Sequence, residues 1–355
     1  MNQQLLAAGL ILASGLLSFP AIASDYDAVN VFGDSLVETG NLFNLTNLPP
    51  APPYAQNFSN GDIWIDNLAE ELDLEIALVT DILSGSIVAP TEGIDFSFGG
   101  ALSSDVNIFG GFIPELDPLL LGLQEQIATF TSLTEQIPVN PNALNIIWAG
   151  SNDYNEAFFN PASLTVPLTD LPEVVTDNIV TAVEDLADLG AREFLVVNLP
   201  SLGETPLADF FDQQSGLDIS TQLNELSATH NLLLAEKLAA LNSSPDLTIT
   251  ILDVDSLFSS VIANPAQFNF ENVVDSCLIE FNAGFMFDSV CSDPDGFLFW
   301  DNVHPTTAAH GVITQLVLTT LGIDESATVP EPNNLWAILT IGIIGTGKIW
   351  QHQKS

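Results

Sequence analysis

Val31-Phe32-Gly33-Asp34-Ser35-Leu36 is an apolar run that stops at a glycine and sets a serine just beyond it. The residues leading into it, Ala28 to Phe32, are short, β-branched and apolar, which predicts a buried strand. The glycine allows a sharp turn. The serine is then expected to open a helix whose amides and positive dipole end favour a developing anion. Taken alone, Gly, Asp and Ser would equally suit an ordinary strand-ending turn. Far downstream, however, Asp301-Asn302-Val303-His304-Pro305 holds an acid and an imidazole three residues apart. A serine hydroxyl is a poor nucleophile at neutral pH and needs a base to take its proton and an acid to orient that base. Ser35, His304 and Asp301 supply all three, and the reading they support is a serine hydrolase.

Short apolar runs alternate with stretches of helical period between these two sites, the pattern of a parallel sheet covered by helices. Five strands are expected, Ala28 to Phe32, Asp95 to Phe98, Leu144 to Ala149, Phe194 to Asn198 and Leu247 to Leu252. Helices are expected near Ile63 to Glu71, Asp117 to Thr134, Pro172 to Leu189, Ile219 to Leu241 and Pro305 to Leu321. The fold class is therefore α/β, a three-layer sandwich about a parallel five-stranded sheet. Ligands in such sheets bind beyond the carboxyl ends of the strands, so Ser35, Gly99-Gly100, Gly150-Ser151-Asn152-Asp153 and Leu199-Pro200-Ser201-Leu202-Gly203 should share one cleft. Leu48 to Pro53, rich in proline, reads as a rigid surface loop.

Acyl transfer needs donors aimed at the oxyanion. Gly100 can offer an open backbone amide and Asn152 a side-chain amide, although both types also serve ordinary turns. Pro305 disfavours helical backbone at His304 and suits the start of the helix that follows. The Asp301–His304 pair is thus expected in a turn, with Asp301 on one ring nitrogen and the other facing Ser35. An Asp-capped turn with an idle histidine is the competing reading. His230, His304, His310 and His352 make no His-Glu-x-x-His or similar pattern, so no metal site is expected.

Composition narrows the rest. The chain has 355 residues, 47% of them hydrophobic, enough for one large domain. Its net charge of -42 reflects 46 acidic residues against only Arg192, Lys237, Lys348 and Lys354. Nucleic-acid binding needs clustered Lys and Arg and is excluded. Solubility in a secreted or salt-exposed setting accounts for such acidity, with cation binding at the surface as the alternative. Residues 1–23 read as a signal peptide, with an apolar run from Leu5 to Leu17 and the small-x-small Ala21-Ile22-Ala23, and export is expected. Cys277 and Cys291 are the only cysteines, which in an exported chain favours a disulfide over two buried thiols. Near the C-terminus the apolar stretch Leu335 to Gly347 reaches only about 20 Å as a helix, against a hydrocarbon core of about 30 Å. The domain proper is expected over residues 24–324, with a tail over 325–355.

Several blocks in chain order resemble the GDSL esterases and lipases of the SGNH hydrolase superfamily, and within them a bacterial phospholipase, lecithinase and haemolysin-like branch. They are Phe32-Gly33-Asp34-Ser35-Leu36 with Thr39-Gly40-Asn41, Phe58-Ser59-Asn60-Gly61, Phe98-Gly99-Gly100-Ala101, Trp148-Ala149-Gly150-Ser151-Asn152-Asp153-Tyr154, and Phe299-Trp300-Asp301-Asn302-Val303-His304-Pro305-Thr306. The resemblance runs from about Val29 to Leu321. It implies a flavodoxin-like SGNH fold and no cofactor. It also implies Ser35 as nucleophile, His304 as base, Asp301 as its orienting acid, and an oxyanion hole made by the Ser35 amide, Gly100 and Asn152. Two positions depart from it, Asp95 where relatives often carry Asn and Asn57 where many carry a basic residue. Val329-Pro330-Glu331-Pro332, the apolar stretch and Lys348 resemble a PEP-CTERM sorting tail. That tail implies a sorting protease of the envelope as partner, transient membrane contact, and a place on the cell surface or in the extracellular matrix of a bacterium. The expected substrate is a small-molecule or lipid ester, an apolar rim at Phe109 to Pro114 favouring the latter, although that stretch equally suits a plain surface loop. O-deacetylation of matrix polysaccharide, or a catalytically idle surface protein, are the alternatives.

Overall fold

In the computed structural model, which describes residues 26–87, 90, 92–244, 246–280 and 287–323, strand β1 spans Ala28–Gly33 with every residue buried. Five more strands join it, β2 Ala77–Leu78, β3 Gly93–Asp95, β4 Ala143–Trp148, β5 Glu193–Val197 and β6 Thr248–Leu252. The sheet order is β2-β3-β1-β4-β5-β6 and every neighbouring pair is parallel. A parallel sheet is buried on both faces, so its strands read as continuous apolar runs rather than alternating ones. β1 and β4 follow this with one polar pair between them, all six residues of each being buried and Asn30 Nδ2 donating to Asn145 Oδ1 at 3.1 Å.

The helices are α1 Asn41–Thr46, α2 Trp64–Leu72, α3 Val79–Leu83, α4 Leu123–Leu133, α5 Ser151–Phe159, α6 Leu171–Leu189, α7 Pro206–Ser215, α8 Ile219–Leu241, α9 Val254–Ala263 and α10 Thr307–Leu321. Successive strand residues point to opposite faces, which sorts them into two layers. Phe32 meets Phe130 of α4 edge-on at 5.7 Å, and α4 packs on α6 and α6 on α8. Trp148, on the other face, lies 6.1 Å from Trp64 of α2, which packs on α10. The protein is a three-layer α/β/α sandwich.

Several expectations need correction. The sheet has six strands, not five, because the two-residue β2 at its edge is too short to show a period. The second expected strand, Asp95 to Phe98, ends where it was thought to begin. Gly93–Asp95 makes the ladder, and beyond it only the amides of Phe96 and Phe98 still bond to Val31 and Gly33 carbonyls, at 2.8 and 3.2 Å. The stretch 117–134 is a single 3-10 turn with Pro118 inside it, then α4 after Gly122. Pro305 does not begin α10. It bridges to Phe299, and the Thr306 side chain caps the helix by accepting from the Ala309 amide. Between β6 and α10 the sequence suggested nothing regular. The structure has a parallel pair, β7 Asn272–Ser276 with β10 Phe297–Phe299, and an antiparallel pair, β8 Leu278–Glu280 with β9 Phe287–Val290. The expected signal peptide at 1–23 and the sorting tail at 325–355 lie outside the described residues. Among the described residues no helix is long and apolar enough to cross a membrane.

Candidate active site

The backbone at the end of β1 aims Ser35. Gly33 has φ +145, and a Cβ there would lie 2.0 Å from the Trp148 carbonyl oxygen, so only glycine lets the two central strands approach this closely. Gln126, on the buried face of α4, completes its pairing, accepting from the Gly33 amide and donating to its carbonyl, both at 2.8 Å. Ser35 does not open a helix, contrary to expectation. It sits in one hydrogen-bonded turn, in which Asp34 Oδ1 accepts the Leu36 amide at 3.0 Å and Trp64 Nε1 donates to the Leu36 carbonyl at 3.0 Å. The helix N-terminus that reaches the cleft is that of α5, whose first residues, Ser151 and Asn152, line it.

Asp301 and His304 lie in a turn after β10, closed by the Trp300 amide donating to the His304 carbonyl at 2.7 Å. Asp301 Oδ1 accepts the amides of Val303 and His304 at 2.9 and 2.7 Å, and Oδ2 lies 2.7 Å from His304 Nδ1. A carboxylate can only accept, so Nδ1 carries the proton and Nε2 presents its lone pair. Nε2 is 2.8 Å from Ser35 Oγ. Burial pushes the Asp301 carboxyl up, but the His304 ring and the two amides more than offset this and hold it below the usual carboxylate range. Phe58 lies over the imidazole with ring centroids 4.9 Å apart. A proton on Ser35 can thus pass to Nε2 while Nδ1 stays bonded to Asp301.

Gly100 has φ +77, and a Cβ would meet the Phe109 ring at 2.6 Å. It is not one of the residues lining the cleft, but hydrogen bonds bracket it. Phe98 is tied to Gly33, and the Ala101 carbonyl accepts from Asn152 Nδ2 at 3.0 Å. Glu38 Oε2 accepts the Gly99 amide at 3.2 Å, and Asn107 Nδ2 donates to the Gly99 carbonyl at 2.9 Å, so the turn is pinned on both sides. Glu38 is fully buried, and burial plus the nearby Asp95 carboxylate push it up to about 8. Asp95 is the charged member of that pair, since both the amide and hydroxyl of Thr39 and of Ser97 donate to it. Those four donors suit a carboxylate where relatives often carry Asn. Asn57, the other departure, closes a local turn, accepting from Ser59 and donating to Gly61. Asp34, which lines the cleft, is pushed up to about 7 by burial, against the pull of the Leu36 amide and of the nearby His304 ring.

Ser35, Asn152 and His304 line one cleft, whose apolar side is made by Leu202 after β5, Phe258 and Ile262 of α9, Phe299 and Val303. The apolar wall expected at Phe109 to Pro114 is not part of it. Phe109 instead packs beneath the Gly100 turn and beside Phe58, and Phe112 is exposed. Cys277 and Cys291 form a disulfide with Cα atoms 4.9 Å apart. Among the described residues no three His, Cys, Asp or Glu side chains are grouped to hold a metal. Sequence reasoning missed Gln126, Glu38 and Tyr54, whose hydroxyl donates to Asp301 Oδ2. For Gln126 alone a signal was available, a polar side chain between Leu123, Ile127 and Phe130 where an apolar one would be expected.

The family model of the GDSL-like lipases and acylhydrolases matches residues 29–317. A GDSL esterase/lipase of Arabidopsis thaliana is 27% identical over 319 residues, which cover 81% of this chain and 86% of that protein. GDSL esterase/lipase ENOD8 of Medicago truncatula is 27% identical over 339 residues, covering 83% of this chain and 86% of its own. The phosphatidylcholine-sterol acyltransferase of Aeromonas hydrophila is 24% identical over 351 residues, covering 86% and 94%.

Proposed function

This chain belongs to the GDSL-like lipase/acylhydrolase family, hydrolases acting on ester bonds, and from that premise we propose that it is an exported esterase working through an acyl-enzyme on Ser35. The observation that carries the proposal is the unbroken line Ser35 Oγ, His304 Nε2, His304 Nδ1, Asp301 Oδ2, with separations of 2.8 Å and 2.7 Å across its two gaps. Ser35 Oγ attacks the ester carbonyl carbon as Nε2 takes its proton, and Asp301 stabilises the imidazolium. The oxyanion is held by the Ser35 amide, Gly100 and Asn152. His304 returns the proton to the departing alkoxide, leaving an acyl-serine. A water then adds to the acyl carbon and gives its proton to Nε2. Collapse releases the carboxylic acid, and the proton goes back to Ser35. Turnover accordingly falls in acid, where the imidazole holds a proton and cannot act as base.

A lipid or other apolar acyl ester is supported by the apolar side of the cleft, and a phospholipase-like branch by a relative named for phosphatidylcholine and sterol. Export to the cell surface is supported by the apolar N-terminal run, the Pro-Glu-Pro tail and the disulfide. In this reading a sorting protease of the envelope processes the tail after its transient membrane contact. The test is a panel of nitrophenyl esters of increasing acyl length, with an acetylated glycan beside it, run on wild type and Ser35→Ala. Turnover that rises with acyl length and vanishes in Ser35→Ala is expected. Acetate release from the glycan alone would point to deacetylation instead, and full turnover by Ser35→Ala would discard the nucleophile.

A further inference from the structure

Asp301 has a partner that the proton path through Ser35 and His304 does not use. Tyr54 Oη donates to Oδ2 at 2.8 Å, the same oxygen that takes His304 Nδ1–H. The tyrosine stands just after the proline-rich loop, and packing rather than solvent fixes its ring. It is 3% exposed and meets Trp300 edge-on at 6.1 Å and Phe58 at 6.4 Å. Trp300 precedes Asp301 in the chain, and Phe58 covers the His304 ring. Tyr54 therefore sits between the segment that carries the carboxylate and the side chain that confines the imidazole. Cys277 and Leu278 belong to the same apolar cluster, with Cys291 and Phe297 packed against it.

We propose that Tyr54 is a positioning residue for the acid–base pair, its hydroxyl fixing Oδ2 and drawing off part of the charge that this oxygen presents to the ring. The proposal rests on the catalytic reading of Ser35, His304 and Asp301. Oδ1 is already occupied by two amides, so Oδ2 is the oxygen whose charge is open to adjustment, and among the described residues its hydrogen-bond partners are Tyr54 and the ring. Without the phenol, Oδ2 carries more negative charge and stabilises the imidazolium more strongly. Asp301 and the ring bonded to it are also freer to swing away from Ser35, which slows proton transfer. The other titratable groups facing the pair are Asp34 at the end of β1 and His310 on α10, and Tyr54→Phe leaves both in place.

The experiment compares wild type, Tyr54→Phe and Ser35→Ala on one nitrophenyl ester across pH 4 to 9, with a thermal midpoint for each. Phe keeps the ring packing, so the midpoint should move little. The expected result is a kcat about tenfold lower, the fold-change typical of one hydrogen bond to a charged group, an unchanged KM, and an acid limb displaced to higher pH. A merely structural tyrosine would lower the midpoint and leave the acid limb where it was. Inactive Ser35→Ala beside active wild type keeps the nucleophile, and Tyr54→Phe with wild-type kcat and acid limb then overturns this inference alone. Active Ser35→Ala overturns both.

Discussion

Asn152 shows how one side chain can be both held and useful. One hydrogen of its amide is donated to the Ala101 carbonyl, which ties the α5 terminus to the Gly100 turn, and the residue also lines the cleft beside Ser35. Asn152→Ala should lower kcat by about a hundredfold or more, the usual effect of losing one oxyanion donor, with little change in KM. Steady-state kinetics beside a circular-dichroism melt checks this, and a loss below about threefold in a folded variant would remove Asn152 from the oxyanion role. Ser35, Asn152, Asp301 and His304 were legible because each is a polar residue at the end of an apolar strand or in a proline-bounded turn. Tyr54 was not, because its partner stands 247 positions away and nothing local distinguishes a buried tyrosine with a hydrogen bond from one without. Glu38 was hidden for a similar reason, since its bond to the Gly99 amide spans 61 positions.

Elements were legible where they are long and periodic. α8 spans Ile219–Leu241 as expected, and α6 ends at Gly190, whose φ of +115 suits a helix stop. Short pieces were not, as with β2, which is held by pairing to β3 rather than by its own pattern. The same applies to β7 to β10, where pairing and the Cys277–Cys291 bond organise residues of weak period. That bond spans 14 positions, and closing a loop of this size is worth about 3 kcal/mol in the chain-entropy model. Its effect reaches the site, because Cys277 packs in one cluster with Tyr54 and Trp300. The double variant Cys277→Ala, Cys291→Ala should lose about that much stability in a denaturant titration, and activity should fall with it. Equal denaturation midpoints for the variant and wild type would show that the bond does not constrain the domain.

At the scale of the molecule, buried acids set how stability follows pH. Burial raises Asp34 to about 7, Glu38 to about 8, and Asp66, Asp95 and Asp153 each to about 6. Their contribution is fully present below the ordinary carboxylate range, where both states are protonated, and is lost as pH rises through 6 to 8. Burial lowers His230 and His310 to about 3, so their contribution is present above about 6.5 and lost as pH falls below it. Five groups against two decide the sign between pH 5 and 8, and the net charge of -42 adds repulsion in the same direction. The thermal midpoint should fall from pH 5 to pH 8, and added salt should restore part of it at pH 8 by screening. A midpoint that climbs across this range would contradict the assignment of these carboxyls as buried acids.

The whole molecule also exists to bring Ser35 and His304, 269 positions apart, within 2.8 Å across the end of one sheet. The most direct test is to treat the full-length protein with a serine-reactive phosphonate and locate the adduct by peptide mass spectrometry. The adduct is predicted on Ser35 alone, formed rapidly in wild type, slowly in His304→Ala, and not at all in Ser35→Ala. An adduct on another serine, or labelling of Ser35 at the same rate without His304, would contradict the account.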